Sequence, residues 1–168
     1  MWIHPTFETP MPGPTDKPAR DAKAPKFPTL DDKLCFALYS SSLAMLQSYK
    51  PLLAAIGLTY PQYLVMLVLW EEDGLTVKRL AERLGLDPGS ITPLVKRLEE
   101  AGFVTRQRAV EDERNLSIEL TRDGRALRAK AEAASGQFVD ACELGQAEGG
   151  DLRDKLMLLT STLRAAQE

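Results

Sequence analysis

Histidine and cysteine are scarce in this sequence of 168 residues. The only histidine is His4, and the only cysteines are Cys35 and Cys142. Protein zinc sites are built mainly from clustered cysteine and histidine, and the usual nucleophilic triad needs a histidine base. The sequence therefore argues against a zinc centre and against a histidine-based triad, and we predict no metal and no cofactor.

Long hydrophobic runs are also missing. The longest is Tyr63–Trp70, far shorter than the roughly 20 residues that a membrane helix needs. The N-terminus lacks the basic and then apolar pattern of a signal peptide. We therefore expect a cytoplasmic protein without membrane contact, in which two cysteines would not form a structural disulfide.

Charge is distributed unevenly along the chain. The net charge is only −3, but residues 76–130 carry 12 Lys and Arg against 9 Asp and Glu, whereas the rest carries 9 against 15. A locally basic segment within an acidic chain fits a protein that presents one face to phosphates.

Proline and glycine mark the predicted boundaries. Residues 1–28 hold seven of the eleven prolines, which predicts a disordered or extended tail. Thr29 and Asp32 have the spacing of a capping box, so we expect the first helix to begin at Thr29. The predicted helices cover 29–49, 51–57, 59–71, two within 76–101, 123–144 and, after a break at Gly149-Gly150, 151–166, with two strands within 103–120.

Residues 75–98 have the pattern of a helix-turn-helix. Ala81 is small enough for a close helix crossing, and Gly85 suits a left-handed turn. Asp87 is a good N-cap, and Pro88 fits the first helical position. The second helix of such a pair enters the DNA major groove. The shared core is predicted to contain Leu80, Leu84, Leu86, Ile91, Leu94 and Leu98.

The outward positions of the second helix carry hydroxyl, basic and proline side chains. Ser90 and Thr92 can meet phosphates or base edges, and Pro93 can contact a thymine methyl group. Lys96 and Arg97 can reach phosphates or guanine. The alternative is an ordinary surface helix pair with some basic residues.

A predicted hairpin follows the second helix, in the position of a wing. Residues 103–108 and 115–120 read as its strands. Arg114 at the tip can enter a narrow minor groove, with Asp112 holding its guanidinium, and Arg106 on the first strand is a further candidate for DNA contact. The alternative for the tip is a solvated charged loop.

The segment Asp112-Glu113-Arg114, followed by residues 120–124 and placed after this helix-turn-helix, resembles the MarR family of bacterial repressors. The resemblance implies a mainly α fold with a small β-wing, and a homodimer on double-stranded operator DNA. We expect a tail over 1–28 and one domain over 29–168. In that domain, residues 29–58 and 123–168 would form the dimerisation helices, and 59–122 the winged helix-turn-helix.

Residues 34–39, 49–53, 58–63 and 86–94 resemble one subfamily in particular, the organic hydroperoxide resistance regulators. That resemblance implies that Cys35 is the peroxide sensor and that Tyr49 and Tyr60 of the partner subunit hydrogen-bond its thiolate. Tyr39 is a third candidate for this role. Cys142 takes the place of the second cysteine in two-cysteine members, which implies an intersubunit disulfide and release of DNA.

Peroxides react with the thiolate of cysteine rather than with the thiol. We place Cys35 about six residues into its helix, beyond most of the helix dipole, so that tyrosine hydroxyls would stabilise the charged sulfur. From composition alone, Cys35 could instead be a small hydrophobic residue in a dimer core.

Two other functions are open. One is a MarR-type repressor that a non-covalent aromatic or phenolic ligand releases from DNA, with both cysteines incidental. The other is a stand-alone thiol peroxidase, which would lack a general base and leave the helix-turn-helix unexplained. We predict that the protein is not an enzyme.

Overall fold

The computed structural model describes residues 28–108 and 116–166. The chain divides between Tyr39 and Ser40 into two units. The predicted tail over 1–28 lies almost entirely outside the described residues. The helices are α1 (Leu34–Ala54), α2 (Tyr60–Glu71), α3 (Val77–Leu84), α4 (Pro88–Glu100), α5 (Arg122–Ala141) and α6 (Gln146–Ala165), and the strands are β1 (Leu75–Thr76), β2 (Val104–Arg108) and β3 (Leu116–Leu120).

The first helix begins later than predicted and also ends later. Thr29 and Asp32 do form a capping box, but it caps a 3₁₀ turn over Leu30–Asp32, and α1 begins only at Leu34. The predicted break before Pro51 is also wrong. Proline inside a helix removes a backbone hydrogen bond, yet the helix continues to Ala54, with Tyr49 and Leu53 buried on either side of Pro51. The burial of Tyr49 and Leu53 outweighs the cost of the proline.

The helix-turn-helix is confirmed in most details. Gly85 ends α3 with a φ of 65°, and the side chain of Asp87 accepts a hydrogen bond from the Ser90 N–H at the start of α4. Of the predicted core, Leu80, Ile91 and Leu98 are fully buried, and Leu84 and Leu94 partly so. Leu86 is a wrong assignment. It lies just outside the left-handed turn and is 46% exposed, while Val95 of α4 is fully buried.

The strands form a three-stranded antiparallel sheet in the order β1-β3-β2. In the β2–β3 hairpin, Val104 lies opposite Leu120 and Arg108 opposite Leu116. The sequence did not predict β1, because two residues carry no periodicity. The sheet with α2, α3 and α4 gives a winged helix-turn-helix, and the fold is mainly α with a small β-wing, as predicted.

The last two helices differ from their predicted bounds. Helix α5 ends at Ala141. Helix α6 begins at Gln146 and continues through Gly149-Gly150, so the two glycines do not interrupt it. The side chain of Glu148 instead accepts a hydrogen bond from the Gly145 N–H and so caps α6. None of the residues of α6 is buried. Among the described residues, no helix is both long and apolar enough to cross a membrane.

Candidate functional site

Helix α4 has one buried face and one open face. Ile91, Val95 and Leu98 are fully buried beneath it. The α4 residues predicted to contact DNA all lie on the exposed face: Ser90, Thr92, Pro93, Lys96 and Arg97. The side chains that pack the helix and those that are free for recognition are thus separated by its periodicity.

Hydrogen bonds hold the start of this face in place. The hydroxyl of Ser90 donates to Asp87 Oδ2 at 2.5 Å, and that of Thr92 donates to the Pro88 carbonyl at 3.0 Å. The bonds from the Ser90 hydroxyl and N–H hold the pKa of Asp87 below its usual value. Lys96 Nζ lies 3.8 Å from Glu100 Oε1, and such exposed pairs are weak enough for a phosphate to displace the carboxylate.

The wing strand β2 is joined to α4 by an ion pair. Arg106 Nε lies 3.2 Å from Glu99 Oε2, and both side chains are partly exposed. The pair links the β2–β3 hairpin to α4. A contact of Arg106 with DNA remains a prediction. Asp112 and Arg114 lie outside the described residues.

Aromatic rings from α1, α2 and α5 form a cluster within the second unit. The ring centre of Tyr49 lies 4.2 Å from that of Phe138, 5.3 Å from that of Tyr60 and 5.8 Å from that of Tyr63. The structure therefore brings together the two tyrosines that were predicted as thiolate ligands. Sequence reasoning missed Phe138, because an aromatic on a long, polar-surfaced helix gives no sign of its stacking partner.

Burial changes the acidity of the two tyrosines. It raises the pKa of Tyr49 above 10.0; a side-chain hydrogen bond with Ser135 opposes the rise, and the neighbouring Tyr63 and Cys142 add to it. Burial likewise raises the pKa of Tyr60, with contributions from Tyr49 and Tyr63. Both hydroxyls therefore keep their protons at neutral pH, and that of Tyr60 donates a long hydrogen bond to Met45 Sδ at 3.9 Å.

Both cysteines are exposed free thiols. Cys142 is the C-cap residue of α5, near enough to Tyr49 to affect its pKa. Cys35 belongs to the first unit and is the second residue of α1, so its predicted position six residues into a helix is wrong. The first turn of a helix is favourable for negative charge because its backbone N–H groups point outward. Tyr39 is exposed one helical turn after Cys35.

A cleft of about 610 Å³ lies between α2 and α5. Its wall includes the aromatic rings of Tyr63 and Trp70, and Arg128, Glu132 and Ser135 provide polar groups. Over residues 28–108 and 116–166, no three Cys, His, Asp or Glu side chains are grouped so as to hold a metal ion.

Comparison with known proteins agrees with this arrangement. Residues 58–116 match the sequence profile of the MarR family. The organic hydroperoxide resistance transcriptional regulator of Bacillus subtilis is 45% identical over 134 residues, which is 80% of this chain and 91% of that protein.

Solved structures give the same result. Reduced AbfR bound to DNA has a TM-score of 0.71 and 35% identity, over 83% of this chain and 95% of that one. Disulfide-formed AbfR has a TM-score of 0.59 and 34% identity, over 82% and 91%. AbfR is a protein of Staphylococcus epidermidis. The winged helix-turn-helix fold, the exposed face of α4 and these relatives all indicate the same family. The chain belongs to the MarR family of DNA-binding transcriptional regulators, which are not enzymes.

Proposed function

We propose that this regulator is a dimeric repressor that senses organic hydroperoxides through Cys35. The observation that carries the proposal is the exposed thiol of Cys35 in the first turn of α1, in a chain 45% identical to a hydroperoxide resistance regulator. A peroxide sensor needs an accessible sulfur in surroundings that tolerate negative charge.

The proposed chemistry is a two-step oxidation. The thiolate of Cys35 attacks the terminal oxygen of ROOH, the O–O bond breaks, and the hydroxyl group transfers to sulfur to give the sulfenic acid. The leaving alkoxide takes a proton from water and departs as the alcohol ROH. The thiol of Cys142 then displaces water from the sulfenic acid and forms a disulfide. A thiol reductant supplies the two electrons that restore both cysteines.

In the proposed dimer, Tyr49 and Tyr60 of one subunit donate hydrogen bonds to the Cys35 thiolate of the other. Their raised pKa values make them protonated donors at neutral pH, and such bonds favour the charged form of sulfur. Tyr39, one turn from Cys35 on the same helix, is a third donor. Cys142 lies near Tyr49, which would place the second thiol close to the partner's sensor cysteine.

Dimer formation is supported by exposed apolar side chains on α1 and α6. In the second unit these include Leu43 and Leu46 on α1, and Leu152, Leu156, Met157, Leu158 and Leu163 on α6. Helices with such surfaces are stabilised by burying them against another copy. Two recognition helices on one operator must lie about 34–36 Å apart, so a small movement of the dimer helices would release the DNA.

An operator-binding assay tests this function. Addition of an alkyl hydroperoxide to the wild-type complex should release the DNA, and dithiothreitol should restore binding. Release by an aromatic carboxylate or phenol, with no effect of hydroperoxide, would favour instead a repressor that binds a ligand in the α2–α5 cleft, the second candidate that the cavity supports.

A mixed dimer tests the intersubunit disulfide. Neither Cys35→Ser nor Cys142→Ser alone should form a covalent dimer, because each lacks one of the two sulfurs. Dimers of one chain of each kind should form a single bond between the chains after peroxide treatment. The absence of that product on a non-reducing gel, from wild type and mixed dimer alike, would show the role of Cys142 to be wrong.

A further inference from the structure

We propose that Asp73 is a positioning residue for DNA binding, and that it holds the wing strand β3 in place without contacting DNA. Asp73 follows the end of α2, and its side chain is 25% exposed. Its Oδ1 accepts hydrogen bonds from the Leu120 N–H at 2.8 Å and the Gly74 N–H at 2.9 Å. Its Oδ2 accepts one from Arg125 Nη2 at 2.5 Å.

The carboxylate extends the pairing of the sheet beyond the first residue of β1. In the pairing of β1 with β3, Leu75 lies opposite Ile118 and Thr76 opposite Ser117. Continuing that register places position 73 opposite Leu120, the last residue of β3. The Leu120 N–H would need an acceptor there, and the Asp73 side chain supplies it in place of a strand carbonyl.

The same carboxylate joins three elements. It connects the end of α2 with the base of β3, and through Arg125 with the first turns of α5. Hydrogen bonds to a charged group are stronger than neutral ones. These bonds therefore restrain the orientation of β3 relative to α2 and α5. A separate bond, from Trp70 Nε1 to the Gly124 carbonyl at 2.9 Å, also ties α2 to α5, so the fold does not depend on Asp73 alone.

Asp73→Ala should change DNA affinity in the direction opposite to that expected from the loss of its negative charge alone. Removing a carboxylate from a DNA-binding protein reduces repulsion of phosphates and should tighten binding. If Asp73 positions β3, Asp73→Ala should instead weaken it. Asp73→Asn removes the same charge but keeps an oxygen for the Leu120 N–H, so it should bind operator within about twofold to threefold of wild type.

The test is a fluorescence-anisotropy titration of full-length protein with operator DNA at several salt concentrations. Asp123→Ala is the matched control, since Asp123 is an exposed carboxylate at the start of α5 whose ion pair is with the adjacent Arg122. Asp73→Ala should weaken binding about tenfold, the size expected for loss of a good DNA contact. The control should bind as wild type or tighter.

Hydroxyl-radical footprinting of the same complexes separates positioning from general destabilisation. With Asp73→Ala, protection should fall at the flanks contacted by the wing and remain at the centre of each half-site, and thermal melting should confirm that the variant is folded at the assay temperature. Unchanged or tighter binding, a uniform loss of protection, or an Asp73→Asn variant as weak as Asp73→Ala would overturn the proposal.

Discussion

Two glycines in α5 have very different surroundings. A Cβ on Gly124 would overlap the carbonyl oxygen of Phe103, which is backbone and cannot rotate away, whereas a Cβ on Gly136 would meet nothing within 4 Å. Gly124→Ala should therefore lower the free energy of unfolding by about 1–3 kcal/mol through overpacking. Gly136→Ala should raise it by up to about 1 kcal/mol, because alanine is the better helix former.

Urea denaturation of the two variants measures both effects, and each glycine is the control for the other. Equal stability changes of the same sign would contradict the packing described at Gly124.

At the same scale, the sequence predicted residues whose role depends on local backbone chemistry. Gly85, Asp87 and Pro88 were assigned correctly because a turn or cap needs only its neighbours. Leu86 was misplaced because burial depends on what lies opposite, and Asp73 was missed because its partner Leu120 is 47 residues away.

At the scale of elements, we expect α4 and the wing to contribute differently to DNA binding. Lys96 is exposed on α4 with only a weak pair to Glu100, so Lys96→Ala should weaken binding evenly across DNA sequences and lower the salt slope by about 1. Arg114→Ala should reduce operator affinity strongly, by loss of the minor-groove contact inferred from sequence.

Lys155→Ala is the matched control for Lys96→Ala. Lys155 also pairs with an acidic residue four positions away, but it lies on α6 and not on α4. If Lys96→Ala and Lys155→Ala had the same affinity and salt dependence, the assignment of α4 would be wrong.

Helix boundaries were predicted well where a cap defines them and poorly where a breaker was overridden. Thr59 and Pro61 correctly marked the start of α2, and the side chain of Thr121 caps α5. The breaks predicted at Pro51 and at Gly149-Gly150 are wrong, because both positions lie inside helices. In α1, burial of Tyr49 and Leu53 outweighs the penalty of proline, and burial depends on tertiary contacts. In α6, which has no buried residue, the cap from Glu148 starts the helix before the two glycines, and each glycine costs only about 1 kcal/mol.

At the scale of the whole molecule, the apolar side chains exposed on α1 and α6 predict a stable homodimer. Size-exclusion chromatography with light scattering at micromolar concentration should give twice the chain mass of 18.6 kDa. Leu158→Asp should shift the equilibrium towards the monomer, since it places a charge in the expected interface, whereas Arg153→Asp, at a polar position of the same helix, should not. A wild-type mass of one chain would contradict the dimer.

The candidate sensor could be predicted only in part. Cys35, Tyr49 and Tyr60 were identified through family resemblance, because the spacing of a cysteine and two tyrosines has no meaning without a fold. The structure then added the stacking of Tyr49 on Phe138, which has no sequence signal. It also shows Cys35 in the first turn of α1, because the residues expected to begin that helix form a 3₁₀ turn instead.

The proposed sensing reaction begins at the thiol of Cys35, so the decisive measurement is the operator affinity of Cys35→Ser in the presence of hydroperoxide. Serine keeps the size of the side chain but cannot be oxidised by peroxide. Cys35→Ser should bind operator as tightly as wild type and stay bound when an alkyl hydroperoxide releases the wild type. Release of Cys35→Ser at the same hydroperoxide concentration as wild type would contradict the proposed reaction at Cys35.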